Sequence, residues 1–227
     1  MLLMRPLGVY PPQGDTSLLC EAAERADVLA GARVLDVGTG TGAVALAAAR
    51  GGASQVTAID VSARAVMAAR LNATLRGLRL RVLRGDLFAP VAGETFGVIL
   101  ANPPYVAGGA PRAAHRLRGA RAWDGGHGGR LILDRICAQA PRHLEPDGTL
   151  LLVHSEFSGP EASLRALRRA GLRASVVARR PEPFGPVMLS KAAAMERHGL
   201  IRPGQRHEEL VVIRADRIAT ADRAAAS

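Results

Sequence analysis

The chain has 227 residues, 48% of them hydrophobic, and a formal net charge of +10 at pH 7. This length allows one sizeable domain with a buried core, and no apolar run approaches the roughly 20 residues of a membrane span. The segment Met1–Tyr10 lacks the longer apolar region of a secretory signal. Cys20 and Cys137 fit no metal or redox spacing, so we expect no metal site, no membrane association and a cytoplasmic location.

The positive charge comes almost entirely from arginine, since Lys191 is the one lysine among 30 basic residues. Such an excess favours association with RNA or the ribosome, but it is also typical of proteins from GC-rich genomes. Aromatic residues make up only 3% of the chain, which leaves few surfaces on which unpaired bases could stack. Composition is therefore compatible with an RNA partner and does not require one.

Strand and helix patterns alternate along almost the whole chain, which predicts an α/β sheet. Seven segments have the apolar pattern of strands: Arg33–Val37, Gln55–Ile59, Arg79–Leu83, Phe96–Ala101, Thr149–His154, Leu172–Ala178 and Glu209–Arg214. Helices are predicted over 42–50, 62–76, 130–143, 159–170 and 189–198, with Ser62 as an N-cap and a turn at 146–148. We expect one domain over 1–227, with an N-terminal entry segment and helix over 1–31, a loop over 106–129, a proline-rich insertion over 179–205 and a disordered tail over 219–227.

A glycine-rich turn joins the first strand to the helix that follows it, with glycines at Gly38, Gly40 and Gly42. Glycines allow a tight turn and a close approach of the backbone to a ligand, and the helix start offers unpaired N–H groups. The spacing differs from the Gly-x-Gly-x-x-Gly of dinucleotide-binding folds. In addition, Asp36 would repel a pyrophosphate but suits the ammonium and sulfonium groups of S-adenosylmethionine.

Two further acids stand at the ends of the second and third strands. Asp60 is placed where a carboxylate could accept hydrogen bonds from both ribose hydroxyls, and Asp86 where it could receive an adenine amino group. Each acid alone would be equally typical of a helix cap or a loop. Three acids at successive strand ends share the carboxyl edge where such sheets bind ligands, so together they predict a cofactor site.

Asn102-Pro103-Pro104-Tyr105 follows the fourth strand at the same edge. Two successive prolines cannot continue a central strand because each lacks a backbone N–H, so the chain leaves the sheet in a stiff turn. The turn offers the Asn102 amide oxygen and the Pro103 carbonyl to a planar –NH2 group, with the Tyr105 ring to cover its flat face. This pattern favours N-methylation of a planar nitrogen, and an ordinary strand-end turn is the alternative.

Together these motifs resemble the class I S-adenosylmethionine-dependent methyltransferases, and specifically the HemK family of protein glutamine N5-methyltransferases. The resemblance covers about Val9 to His154 and includes Asp15-Thr16 near the start. It implies a seven-stranded Rossmann-like α/β sheet with helices on both faces and an antiparallel last strand. The shorter branch of the family is the more similar one, because bacterial HemK enzymes carry a long helical domain before the catalytic domain.

The resemblance also implies roles for individual residues. The expected catalytic residues are Asn102, Pro103 and Tyr105. The substrate is expected to contact these three residues and also Pro104 and Trp123. S-adenosyl-L-methionine, which leaves as S-adenosyl-L-homocysteine, is expected to contact Tyr10, Asp15, Thr16, Asp36, Gly38, Gly40, Gly42, Asp60, Val61, Asp86, Leu87 and Asn102.

The sequence is compatible with several acceptors of the methyl group. The resemblance favours a glutamine amide of a protein such as a release factor. The alternatives are a small guanidino or amino metabolite, an exocyclic amine in rRNA or DNA, and a non-catalytic binding module on the same fold. Pro12-Gln13-Gly14 replaces an acidic pattern expected of the family, and the segment 179–205 is longer than is typical of the shorter branch. The oligomeric state and the need for a partner protein also stay open.

Overall fold

The computed structural model describes residues 3–9, 11–105, 129–197 and 199–218. Within these ranges the chain forms a seven-stranded mixed sheet with strand order β3-β2-β1-β4-β5-β7-β6. The strands are β1 Arg33–Val37, β2 Gln55–Asp60, β3 Arg81–Arg84, β4 Phe96–Ala101, β5 Leu144–Ser155, β6 Arg173–Pro183 and β7 His207–Asp216. The helices are α1 Gly14–Arg25, α2 Ala43–Arg50, α3 Ala63–Thr74, α4 Leu131–His143, α5 Pro160–Arg169 and α6 Pro186–Arg197. The predicted fold class is confirmed.

Strand direction divides the sheet into a parallel body and one reversed strand. β1 is parallel to β2 and β4, β2 is parallel to β3, and β4 is parallel to β5. β7 lies between β5 and β6 and is antiparallel to both. The carboxyl ends of β1, β2, β3, β4 and β5 therefore share one edge with the amino end of β7.

The centre of the sheet carries the hydrophobic core. Leu35, Ile59, Ile99, Leu100 and Leu150 are almost fully buried on four neighbouring strands. Such continuous apolar runs are typical of parallel strands covered on both faces, which explains why the patterns were readable from the sequence. This rigid centre fixes the loops that leave its carboxyl edge. Among the described residues, no helix is long and apolar enough to cross a bilayer.

The predicted cap of α3 agrees with the structure, and the predicted start of the fifth strand does not. Ser62 caps α3, since its Oγ accepts a hydrogen bond from the Ala65 backbone N at 3.4 Å. β5 begins at Leu144 and runs through the turn predicted at 146–148, where its register with β4 shifts between Phe96 and Val98. Asp147 has a φ of 60° there, a left-handed conformation that a carboxylate side chain tolerates.

The segment 179–205 differs from the expected insertion. Its first five residues continue β6, and they pair with β7 from Arg179 opposite Val211 to Pro183 opposite His207. Prolines are tolerated there because β6 is an edge strand, with β7 as its one neighbour in the described sheet. The next residues form α6, which has a small core of its own: Phe184, Met188, Ala192, Met195 and Ile201. The tail 219–227 and the loop 106–128 lie outside the described residues.

Candidate active site

The glycine turn after β1 is built around left-handed backbone. Gly38 and Gly40 have φ values of 78° and 56°, which favour glycine. The Gly38 and Thr39 backbone N–H groups both donate to the Ile59 carbonyl at 2.9 Å, which ties the turn to the end of β2. A Cβ added at Gly38 or Gly40 would meet no described atom within 4 Å. The turn therefore faces open space that a ligand could fill.

Gly42, the third glycine of the predicted set, has a different structural role. It is the N-cap of α2 with a φ of 85°, and a Cβ there would lie 3.1 Å from the Ala69 Cα on α3. Gly42 thus allows two helices to pack closely. Its contact with a cofactor stays a prediction.

The buried Asp36 carboxylate stabilises the turn through hydrogen bonds. The carboxylate is buried, and its Oδ2 accepts hydrogen bonds from Thr39 Oγ1 at 2.6 Å and from the Ala45 backbone N at 3.1 Å. Burial raises the pKa of Asp36 to about 7, an effect that the two hydrogen bonds partly oppose. One of its oxygens therefore orders the turn and the start of α2.

Asp60 joins the end of β2 to the same turn. Its Oδ2 accepts from the Gly40 backbone N at 2.9 Å, and its Oδ1 accepts from the Ser62 backbone N at 2.8 Å. Burial raises the pKa of Asp60 above its ordinary value. Val61, which follows it, is 55% exposed although it is apolar. A carboxylate beside an exposed apolar side chain is an arrangement that suits a ribose with an attached flat base.

Asp86 lies on the surface after β3 and is already paired. Its Oδ2 accepts from Arg135 Nη2 on α4 at 2.7 Å. Leu87 follows with a φ of 48°, and the Gly85 backbone N donates to the Asp60 carbonyl at 3.0 Å. The structure thus brings Asp86 to the predicted edge and gives its carboxylate an ion pair that the sequence did not indicate.

The Asn-Pro-Pro-Tyr turn, residues 102–105, is anchored to the first turn of α1. Asn102 Nδ2 donates to Thr16 Oγ1 at 3.3 Å, and Tyr105 Oη donates to Asp15 Oδ2 at 3.0 Å. Asp15 is 3% exposed, and its Oδ1 accepts from the Thr16 backbone N at 2.6 Å. The predicted catalytic and N-terminal residues therefore meet, although 86 or more positions separate them in the chain.

The Tyr105 ring is packed into the protein rather than laid open. Only 8% of the residue is exposed, and it belongs to the main hydrophobic cluster. Pro103 is buried and Pro104 is half-buried. We predicted from the sequence that the ring covers the acceptor. In the structure its hydroxyl fixes Asp15, and contact with a substrate stays a prediction.

Sequence reasoning missed the residues that hold the far end of this turn. Ser158 Oγ donates to the Tyr105 carbonyl at 2.7 Å. A Cβ on Gly129 would collide with the same carbonyl, so glycine is required there. Ser158 lies 53 positions from Tyr105, so no local signal in the sequence links the two residues.

Behind Ser158 a polar network is buried between α4 and α5. Arg130 Nη1 donates to the Ser158 carbonyl and to Ser163 Oγ, each at 2.8 Å. Ser163 Oγ also lies 3.1 Å from His154 Nε2. Burial lowers the pKa of His154 to about 4, so this imidazole is neutral at pH 7. The network positions Ser158, which in turn donates to the Tyr105 carbonyl.

A cavity of about 450 Å³ lies next to Thr16, the residue that accepts the hydrogen bond from Asn102. Thr16 and Cys20 of α1 line it from one side and Ala43 of α2 from another, with Arg5 and Arg50 also in its wall. Burial raises the pKa of Cys20 to about 12, which keeps the thiol neutral. Thr16 connects the cavity to Asn102. Tyr10 and Trp123 lie outside the described residues, and the described residues contain no cluster of metal ligands.

The sequence profile of the methyltransferase small domain family matches residues 13–179. The chain belongs to this family. The matched methyltransferase region begins one residue before α1 and ends within β6, so it contains the glycine turn, the three strand-end acids and the Asn-Pro-Pro-Tyr turn.

Curated relatives of this methyltransferase carry names that refer to glutamine. A Methanocaldococcus jannaschii protein described as an N5-glutamine methyltransferase is 33% identical over 184 residues, which cover 81% of this chain and 91% of the relative. The release factor glutamine methyltransferase of Bordetella pertussis is 38% identical over 171 residues, which cover 73% of this chain and 63% of that enzyme. The chain thus spans nearly the whole archaeal relative and less than two thirds of the bacterial one. The resemblance to the HemK family is confirmed.

Solved structures agree at the level of the fold. The Mtq2 structure from the E. cuniculi Mtq2–Trm112 complex has a TM-score of 0.64 and 24% identity, and covers 93% of this chain and 99% of that chain. A T. thermophilus 16S rRNA methyltransferase, solved with AdoMet and guanosine, has a TM-score of 0.62 and 20% identity, and covers 95% of this chain and 50% of that chain. The chain is thus a methyltransferase on the class I fold.

Proposed function

We propose that this methyltransferase uses S-adenosylmethionine to methylate the side-chain amide nitrogen of a protein glutamine. The hydrogen bond from Asn102 Nδ2 to Thr16 Oγ1 carries the proposal. Because the amide nitrogen is held by α1, the Asn102 Oδ1 is the atom left to accept a hydrogen bond from an acceptor –NH2 group, and no described residue donates to it. The glutamine names of the relatives support the same acceptor.

The residues around the glycine turn suit the cofactor. Each Asp60 oxygen accepts one backbone N–H and keeps a lone pair for a ribose hydroxyl. Val61 and Leu87 would flank the adenine base, and Asp86 would accept its amino group. The open space over Gly38 and Gly40 would hold the remainder of the cofactor. Asp15, Thr16 and Asp36 would lie toward the charged methionine end. When bound, the cofactor supplies an electrophilic methyl group on a sulfonium.

The protein contributes alignment to the reaction. Asn102 Oδ1 and the Pro103 carbonyl would each accept one N–H of the acceptor amide, which turns the nitrogen toward the methyl group. A C–N bond forms as the S–C bond breaks, and the nitrogen then loses a proton to solvent. Orientation of this kind supplies roughly 7–11 kcal/mol in well-aligned reactions. The stiff Asn-Pro-Pro-Tyr turn and its anchors on Thr16 and Asp15 hold that alignment.

The decisive experiment follows a labelled methyl group from S-adenosylmethionine into a fractionated cell extract. We expect label on a protein glutamine, located by mass spectrometry, and loss of that label with the Asn102→Ala variant. Label only in small amines or guanidines would replace the proposal with the metabolite alternative. Label that ribonuclease removes would replace it with a nucleic-acid acceptor.

An exposed apolar stripe on α3 supports a protein partner for the enzyme. Met67, Leu71 and Leu75 follow a spacing of four residues, and they are 63%, 43% and 63% exposed. The stripe lies on the helix that packs against the edge strand β3. The Mtq2 neighbour was solved as a complex with Trm112. We therefore assign this face to a small partner protein rather than to a second copy of the chain.

A further inference from the structure

Four carboxylates converge at the carboxyl edge of the sheet beside the Asn-Pro-Pro-Tyr turn. This acidic cluster consists of Asp15 on α1, Glu156 after β5, Glu182 on β6 and Glu208 on β7. Glu182 and Glu208 stand opposite each other in the β6–β7 register. Glu156 lies at the start of β7 beside them, since its Oε1 accepts from the Glu209 backbone N at 3.1 Å. Asp15, Glu156 and Glu182 all raise the pKa of Glu208.

Glu208 has an unsatisfied buried oxygen. The residue is 8% exposed, and its Oε2 accepts no hydrogen bond from any described residue. Nearby Ser155 opposes the rise in the pKa of this carboxylate, and Oε2 is its buried atom without a hydrogen-bond partner. Burial and the three neighbouring carboxylates raise the pKa of Glu208. A buried acceptor of this kind points to a donor that the described residues do not supply.

Glu182 reaches the cluster through a gap that glycine leaves open. A Cβ on Gly14, the first residue of α1, would overlap the Glu182 carboxylate. The absence of a side chain at Gly14 therefore leaves room for the Glu182 carboxylate against the residue that precedes Asp15. Because Asp15 Oδ2 accepts from Tyr105 Oη at 3.0 Å, the cluster is continuous with the Asn-Pro-Pro-Tyr turn.

The arginines near the cluster have other partners. Arg180 donates to Glu21 at 2.6 Å and to Ser17 Oγ at 3.0 Å, and Arg179 pairs with Glu209. Among the described residues, no arginine, lysine or histidine forms an ion pair with any member of the acidic cluster. The described residues also offer no metal-ligand geometry there. In a chain of net charge +10, four acids that lack an ion pair among the described residues are suited to bind a cation.

We propose that the acidic cluster binds an arginine side chain of the acceptor protein, close to the glutamine that is methylated. A guanidinium offers five N–H donors in a planar fork, enough to satisfy Glu208 Oε2 and a neighbouring carboxylate at once. The inference rests on the proposed function, because the cluster adjoins the place where Asn102 would hold the acceptor amide. The inference adds the requirement that the acceptor protein carry a positive charge near the methylated glutamine.

Binding without methyl transfer tests the cation site directly. Nα-acetylarginine amide and its neutral isostere Nα-acetylcitrulline amide are titrated by NMR into the wild-type protein and into Glu208→Gln. We expect the arginine probe to bind about tenfold more tightly than the citrulline probe, and Glu208→Gln to remove that preference. Glu182→Gln provides a second variant in case Glu208→Gln disturbs the sheet, and Glu161→Gln on the exposed side of α5 is the matched control. Equal binding of the two probes by the wild-type protein, or a preference that survives both cluster variants, would overturn the site.

Methyl transfer separates this inference from the proposed function. A panel of glutamine peptides, with one arginine placed at successive positions, is compared with its citrulline twins. We expect kcat/KM to be about tenfold higher for the best arginine peptide, through a lower KM, and the gain to disappear in Glu208→Gln. Glutamine methylation that ignores the arginine would overturn the cation site and leave the function standing. Arginine-selective probe binding without label on any glutamine would retain the cation site and overturn the function.

Discussion

Asn102 has its carboxamide oriented before any substrate arrives, because Thr16 Oγ1 accepts from its Nδ2. We predict that Asn102→Ala lowers kcat on the protein acceptor by on the order of 10²-fold or more, as misaligned reactants do. The Kd for S-adenosylmethionine should stay within about twofold, since the oxygen serves the acceptor. Single-turnover rates and calorimetry measure the two effects. An unchanged kcat would disprove the proposed role of Asn102.

Tyr105 satisfies a buried carboxylate through its hydroxyl, and this has a measurable energetic effect. Tyr105→Phe keeps the ring but leaves Asp15 Oδ2 without the donor that lies at 3.0 Å. We expect the free energy of unfolding to fall by about 1–3 kcal/mol, the usual cost of a buried acceptor that loses its partner. Urea denaturation measures the change. If Tyr105→Phe unfolds at the wild-type urea concentration, the hydrogen bond contributes nothing to stability.

Asp36 should make the stability of the enzyme depend on pH near neutrality. Burial raises its pKa in the folded state from an ordinary value of 3.8 to about 7, so the folded state binds a proton that the unfolded state has released. The contribution of Asp36 to stability should therefore decrease as pH rises from about 4 to about 7 and then level off. Asp60, whose pKa is also raised by burial, acts in the same direction, whereas His154, whose pKa burial lowers from 6.5 to about 4, acts in the opposite direction.

The variant Asp36→Asn isolates this contribution, since a carboxamide oxygen can still accept from Thr39 and Ala45. We expect the wild type to lose stability relative to Asp36→Asn as pH rises from about 4 to about 7, measured by urea denaturation of both proteins across that range. Identical slopes would show that Asp36 does not titrate in the folded state.

The start of α1 and the end of β6 meet at one glycine, where a Cβ would overlap the Glu182 carboxylate. Gly14→Ala should displace the flexible end of Glu182 and weaken binding of an arginine side chain at the acidic cluster. Because only a side-chain end has to move, we expect stability to change by no more than about 0.5 kcal/mol. Arginine-probe titration and urea denaturation together test this, and undiminished arginine binding would contradict it.

Elements with a local signal were predictable from the sequence, and contacts between distant elements were not. The bounds predicted for β1 and β4 match the structure, because buried parallel strands form continuous apolar runs ended by glycine or proline. The extension of β6 through Pro181 and Pro183 was missed, since prolines suppress a strand pattern unless the strand is known to lie at an edge.

In the candidate site, too, local features were predictable and contacts between distant elements were not. The strand-end acids and the Asn-Pro-Pro-Tyr turn were recognised because each lies within a few residues of a strand end. The bonds from Tyr105 to Asp15 and from Ser158 to Tyr105 join residues 90 and 53 positions apart, so nothing in the local sequence announces them. Glu208 was missed for the same reason, because the other carboxylates of the acidic cluster lie on other elements of the fold.

At the scale of the whole molecule, the apolar stripe on α3 should determine how the purified chain behaves. We expect a monomer in sedimentation that binds a hydrophobic dye. Leu71→Gln with Leu75→Gln should reduce the dye signal, whereas Leu189→Gln on α6, where the side chain is 50% exposed, should leave most of it. A dimer that dissociates on the α3 substitutions would assign the stripe to a second copy instead.

The position of β7 between β5 and β6 sets the order in which the enzyme can be completed. β6 pairs with β7 and with no other described strand, so it cannot enter the sheet until His207–Asp216 has been synthesised. Glu182 and Glu208 come together only at that step, whereas the glycine turn and the Asn-Pro-Pro-Tyr turn belong to strands made earlier. A nascent chain could therefore form its cofactor edge first and would acquire the site for a cationic substrate last. Substrate selection in this enzyme thus becomes a property of the finished chain.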